Sequence, residues 1–340
     1  MTLTRRAALA ATAALGLGFG PAHAQDEGAN YILATASTGG TYYPVGVALA
    51  TLTKVKLEPA EGIGMSAISS AGSGENVRLL REDEAQFAIL QGLYGHYATT
   101  GSGPVEADGP QERLRSVTML WPNVEHFVID ADRAETGTIE DFLALEGESV
   151  ALGRQNSGTI GSNAHLLGNL GIEDIEEAFD LYYAGYGPSA EALQNAQVAG
   201  ISVPAGDPVG AVTQLMASAG DSVRLLSFTE EQAAKADGGA ELWTPYEIAA
   251  GTYPGQDEAV MTVAQPNFLA TTADTPEEHV YLLTKTIYEN LPFLQAIHPA
   301  TNAMALENAI AGLPAPLHPG ALRYYREQGL EIPERLVPAE

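Results

Sequence analysis

The sequence predicts an α/β fold with a largely parallel sheet, divided into two lobes. Three observations point there. Strand-like and helix-like segments alternate along the chain. Four of the strand-to-helix connections share one composition of small, polar and glycine residues. The chain has 340 residues, room for two domains each with its own core.

The elements follow in order. The opening segment, MTLTRRAALAATAALGLGFGPAHA (1–24), reads as a signal peptide. Arg5 and Arg6 precede an apolar run from Ala7 to Phe19, and AHA closes it as an A-x-A cleavage signature after Ala24. The TRR pair fits both the general secretory and the twin-arginine route. The apolar run falls short of the ~20 residues that span a bilayer. The mature chain is therefore expected to be exported and free, with no membrane insertion.

YILATA (31–36) reads as a short buried strand, and STGG (37–40) as a tight turn. Val45, Ala48, Leu49 and Leu52 then recur at helical spacing. GIGMSAISSA (62–71) gives a strand and a loop, and GENVRLLRE (74–82) a helix. AQFAILQ (85–91) is a buried strand, and GLYGHYATT starts the next helix. LRSVTML (114–120) and EHFVIDA (125–131) read as two strands separated by Trp121-Pro122-Asn123. TIEDFLAL (138–145) is a short helix with Thr138 as N-cap and Asp141 completing a capping box.

ESVALG (148–153) is a strand, followed by a polar loop and a helix that stops at Gly171. Residues 195–215 place a strand, a Pro/Gly loop and a helix in series. SVRLLSF (222–228) and AVMTVAQPNFLATT (259–272) are strand-like. A helix then starts at Asp274-Thr275-Pro276-Glu277-Glu278 and runs to about Asn290. Asp274 or Thr275 caps it, and Pro276 sits in its first turn.

The four alike loops are STGGTYY, SAGSGEN, RQNSGT and PAGDP. In open α/β sheets, ligands bind where such loops converge at the carboxyl ends of strands. Two lie in the first third of the chain and two in the middle, so a ligand touching both sets sits between two lobes. The first loop also presents the hydroxyls of Thr38 and Thr41 and the phenols of Tyr42 and Tyr43 at a helix N-terminus, a ledge suited to an anion, with either tyrosine able to face the cleft.

Composition narrows the chemistry. The chain carries 16 basic and 43 acidic residues, a net charge of −27, which repels nucleic acid and anionic lipid. It has no cysteine, so no disulfide and no thiolate metal site. G-x-S-x-G, H-E-x-x-H, the P-loop and G-x-G-x-x-G are all absent. The histidines after residue 24 show no metal-like spacing and read as surface or capping residues. No metal site, cofactor or catalytic residue is assigned, and the protein is not expected to be an enzyme.

GTYYPVG, SSAGSGENVRLL, AQFAILQ, TIEDFLALEGESVALGRQNSGT, YPGQDEAVMTVAQPNFLAT and PLHPGALRYYREQG follow one another along the chain. In combination they resemble the TAXI family of solute-binding proteins, the extracytoplasmic receptors of tripartite ATP-independent periplasmic (TRAP) transporters. The resemblance covers essentially all of the chain after the signal segment. It implies a type II periplasmic-binding-protein fold, with two α/β lobes joined by crossing strands around a ligand cleft. The crossings are expected near Leu120–Val128 and Val260–Ala264. Lobe I is then 25–121 plus 263–340, and lobe II 122–262.

The resemblance implies a monomeric receptor for a small anionic solute, glutamate, 2-oxoglutarate or a similar dicarboxylate, which it hands to TRAP membrane permease subunits. Thr38, Thr41, Tyr42, Ser73, Asn76 and Gln91 are the expected ligand donors of lobe I. Arg154, Asn156, Ser157, Gly158 and Thr159 are those of lobe II. Members of the family often carry GPPGSGT where this chain has GRQNSGT. Arg154 is the one basic residue in the four loops, and a guanidinium there can clamp a carboxylate. A receptor that informs a sensor kinase, and an exported enzyme on the same fold, are the alternative readings.

Overall fold

The computed structural model describes residues 28–339; the expected signal segment lies outside the described residues. Among the described residues eleven strands form two sheets. They are β1 (Asn30–Ala34), β2 (Gly64–Ile68), β3 (Phe87–Gln91), β4 (Leu114–Val124), β5 (Phe127–Asp130), β6 (Ser149–Ala151), β7 (Asp180–Leu181), β8 (Gly200–Ser202), β9 (Val223–Leu225), β10 (Thr244–Ile248) and β11 (Val260–Thr272). The first sheet runs β10-β11-β3-β1-β2, with β4 also paired to β11. The second runs β7-β6-β8-β5-β9.

The sheets are mixed rather than largely parallel. β1–β2, β1–β3, β6–β7 and β6–β8 are parallel pairs. β3–β11, β4–β11, β10–β11, β5–β8 and β5–β9 are antiparallel. The antiparallel pairs all involve β4, β5 or β11, the segments that cross between the lobes. A strand that leaves one lobe and another that returns must run in opposite senses.

Hydrophobic patterning explains the centre of each lobe. β3 (FAILQ) is buried at every residue, as a strand covered on both faces must be. Helix Ser73–Arg81 buries Val77, Leu79 and Leu80 beside it and ends in Arg78 and Arg81, which complement the helix dipole. Helix Gly158–Leu170 buries Leu166, Leu167 and Leu170, and Gly171 ends it with φ 128°.

β4 and β11 carry the chain between cores. Leu120 and Trp121 belong to the core of the first lobe, whereas Val124 and Phe127 belong to cores of the second. On the return, Val263 and Ala264 pack in the second lobe and Phe268 in the first. Between these points Pro122 faces Pro266 across the β4–β11 ladder. Neither proline can donate a hydrogen bond, so the ladder is weakest where the cores change.

Several local expectations change. Trp121-Pro122-Asn123 does not separate two strands, because β4 continues through it to Val124. Thr138 caps its helix by accepting from the Glu140 N–H, but Asp141 completes no capping box. Its carboxylate instead accepts from the Thr136 and Gly137 N–H groups, which hold it below the usual carboxylate range against its own desolvation. The true capping box joins Thr229 and Gln232 at helix Glu230–Asp237. Pro276 is the N-cap of helix Glu277–Glu289 rather than a first-turn residue, and neither Asp274 nor Thr275 caps it. Among the described residues no helix is long and apolar enough to cross a membrane.

Candidate functional site

The four loops do converge. They line an interlobe pocket that opens to solvent, about 460 Å³ with its mouth included. A fifth loop, Ala184–Tyr186, and Asn123 on β4 complete its wall.

The ends of four helices meet there. Thr41, Gly72, Ser157 and Gly185 are the N-caps of helices Tyr42–Lys56, Ser73–Arg81, Gly158–Leu170 and Tyr186–Gln194, and all four line the cavity. At Thr41, Gly72 and Gly185 no side chain caps the helix. Three of the four helices have no acid in their first turn, in a chain with 43 acids. Four positive helix ends therefore meet at one small space, three of them without a side-chain cap. Arg154 adds the one full positive charge. Its side chain donates to the Ser70 carbonyl at 3.4 Å across the cleft and forms no ion pair among the described residues.

The expected site residues divide into three groups. Thr41, Tyr42, Ser73, Gln91, Arg154, Ser157, Gly158 and Thr159 line the cavity. Thr38 is exposed and outside it, because the turn carries its side chain away to solvent. Asn76 is fully buried but faces the backbone of its own lobe. It donates to the Thr35 and Ile89 carbonyls and accepts from Ser70 Oγ, so it ties the second loop to β1 and β3. Asn156 is exposed and takes a left-handed conformation, φ 59°. Its backbone carbonyl, not its side chain, reaches the other lobe and accepts from the Glu75 N–H at 2.9 Å.

Of the two adjacent tyrosines, Tyr42 faces the cavity and Tyr43 does not. Tyr42 is also a core residue, packed edge-on against Trp121, with its hydroxyl donating to Asn267 on β11. Burial raises its pKa, so it stays a neutral donor. From Asn267 an amide chain runs along the cavity floor. Asn267 donates to Asn123, and Gln91 donates both to the Gly158 carbonyl at 2.8 Å and to Ser162 Oγ at 2.7 Å. Gln265 donates to the same Ser162 hydroxyl. These amides fix ring and loop positions against both crossing strands.

Direct contacts hold the two lobes together around the cavity. Thr41 donates across to the Gly206 carbonyl at 3.0 Å, and Tyr94 to that of Ser157 at 3.2 Å. At Gly72 a φ of 125° requires glycine. At Gly74 a Cβ would lie 2.5 Å from the Asn156 carbonyl oxygen, so any side chain there blocks this approach.

Sequence reading missed Tyr186, whose hydroxyl donates to the Pro204 carbonyl and accepts from Thr159. It also missed Asn123, Gln265 and Asn267. Their signal is an amide beside a proline in an otherwise apolar strand, in WPN and in QPN. The histidines include the expected surface and capping residues, such as exposed His96, and one that departs from both, His126. His298 and His318 are N-caps, and His318 is buried. His126 is fully buried against the Tyr253 hydroxyl. No cluster of His, Asp and Glu able to hold a metal occurs among the described residues.

A family model described as "NMT1-like family" matches residues 33–329. The chain belongs to the NMT1-like family. Among solved structures, a protein of Bordetella bronchiseptica RB50 is similar at 13% identity, with 88% of this chain and 83% of that one covered and a TM-score of 0.50. The alkanesulfonate-binding protein SsuA of Xanthomonas axonopodis pv. citri, bound to MOPS, is 13% identical over 89% of this chain and 91% of its own, with a TM-score of 0.45. The fold of this NMT1-like protein is thus a two-lobed α/β fold, as expected from the sequence, and the Bordetella bronchiseptica structure shares it.

Proposed function

We propose that this NMT1-like protein is an extracytoplasmic solute receptor that closes on a small organic anion. One observation carries the reading: four helix N-termini and an arginine without an acidic partner, drawn from both lobes, face a single cavity. In this reading lobe I is 25–121 plus 263–340, lobe II is 122–262, and the paired prolines of β4 and β11 mark the hinge. The ligand's carboxylate lies against Arg154 and the N–H groups that open helices Ser73–Arg81 and Gly158–Leu170. Thr41, Gln91 and Thr159 bound it, and Tyr42 and Tyr186 wall it. Thr38, Asn76 and the Asn156 side chain drop out of the ligand set.

A ligand that touches both lobes stabilises the closed form by its differential affinity. Micromolar affinity corresponds to ~−8 kcal/mol. Several hydrogen bonds to a charged ligand at ~1.5–3 kcal/mol each supply that after ordering costs. Delivery to a TRAP permease from the periplasm rests on the sequence resemblance. The receptor reading is tested by thermal shift and calorimetry on refolded, ligand-stripped protein against carboxylates and sulfonates. Stabilisation with saturable one-site binding supports it; a flat response across the panel removes it.

A further inference from the structure

The cavity lining carries one cation and no carboxylate. That asymmetry bears on the ligand's own charges. Every nearby acid is committed elsewhere. Glu75 opens a first helical turn, but its carboxylate accepts from the Ala71 N–H at 2.6 Å and lines the outer groove rather than the cavity. Asp207, in the fourth loop, accepts from the Tyr246 hydroxyl at 2.8 Å and is likewise absent from the lining. Glu125, buried behind the floor, accepts from Trp243 Nε1 at 3.3 Å and does not reach the lining. Burial raises its pKa to about 8, so it supplies no counter-charge at neutral pH.

An α-ammonium group needs an anionic or strongly accepting partner once it leaves water. In this cavity it would meet the positive ends of four helices and a guanidinium instead. Of the lining carbonyls, those of Gly158 and Pro204 already accept from Gln91 and Tyr186. A keto or hydroxyl oxygen on the same carbon suffers no such conflict. The N–H groups at the open helix ends can face it.

We infer that the cleft selects ammonium-free organic anions, of the oxo- or hydroxy-acid class, and rejects the amino acid of matching shape. This rests on the receptor reading above and narrows it, favouring 2-oxoglutarate over glutamate.

Matched pairs test it, because each member shares size and acid group with its partner. Calorimetry on ligand-stripped protein compares 2-oxoglutarate with glutamate, pyruvate with alanine, and 2-hydroxyethanesulfonate with 2-aminoethanesulfonate. The expected result is that in any pair that binds, the ammonium-free member binds at least tenfold tighter. Equal or tighter binding of an amino member overturns the inference while leaving the receptor reading intact. Silence from all six compounds overturns both. A second arm uses Ser37→Asp, which adds a carboxylate to the lining. It is expected to shrink the preference within a binding pair at least threefold; an unchanged ratio in a variant that melts like the wild type counts against the charge argument.

Discussion

Glu125→Gln tests whether a carboxyl is buried neutral at the hinge. Glu125 sits between β4 and β5, its backbone N–H donating to the Val263 carbonyl and its own carbonyl accepting from Thr262. One carboxyl oxygen accepts from Trp243, and the other is buried with no partner. Desolvation raises its pKa from 4.5 to about 8. The unfolded chain gives up this proton above pH 4.5, and the folded protein keeps it until about pH 8. The folded state therefore holds more protons in that window, and stability falls as pH rises through it. At 1.36 kcal/mol per pH unit, the loss accumulated by pH 7 is on the order of 3 kcal/mol. Glutamine keeps the shape and the acceptor for Trp243 but does not titrate. In thermal unfolding between pH 5 and 8, the variant is expected to gain on the wild type steadily as pH rises. Parallel curves for the two proteins would refute a neutral Glu125.

His126 works in the opposite direction. Burial lowers it to about 4, so stability is lost as pH falls from 6.5 towards 4, and His126→Asn is expected to flatten that acid limb in chemical denaturation. Gly74→Val places a Cβ 2.5 Å from the Asn156 carbonyl oxygen of the other lobe and 3.1 Å from the Tyr94 ring of its own. It is expected to weaken ligand binding at least tenfold by calorimetry and to enlarge the radius of gyration with ligand present. Arg154→Ala is expected to cost ~1–3 kcal/mol of binding by calorimetry, because it removes a charge-assisted hydrogen bond. For Tyr42, burial makes alanine a core deletion worth ~3–5 kcal/mol of stability. Tyr42→Phe is the informative change: it orphans the Asn267 acceptor and is expected to lower stability by ~1–3 kcal/mol in denaturant titrations.

The loops were legible because their chemistry is local. Glycine and small polar residues after an apolar run mark a strand-to-helix turn whatever the rest of the chain does. Ser73, Ser157 and Thr159 reached the cavity for that reason. Facing direction within a loop was not legible. Thr38 and Thr41 lie three residues apart, and only the packing of helix Tyr42–Lys56 sends one outward and the other into the cleft. Asn76 looked like a donor because it follows a glycine-rich turn, yet the buried Thr35 and Ile89 carbonyls claim it. Asn123, Gln265 and Asn267 were hidden in strands that are apolar on average. Their role exists only because β4 and β11 pair where the lobes meet, a contact between residues more than a hundred positions apart.

The most direct measurement is a crystal structure of the ligand-stripped protein grown with the tightest-binding anion of the panel. Density for that anion is expected in the interlobe cavity, with its acid group between Arg154 and the Ser73 and Gly158 N–H groups. An anion held by one lobe alone, or seated away from the five loops, would contradict capture between the lobes.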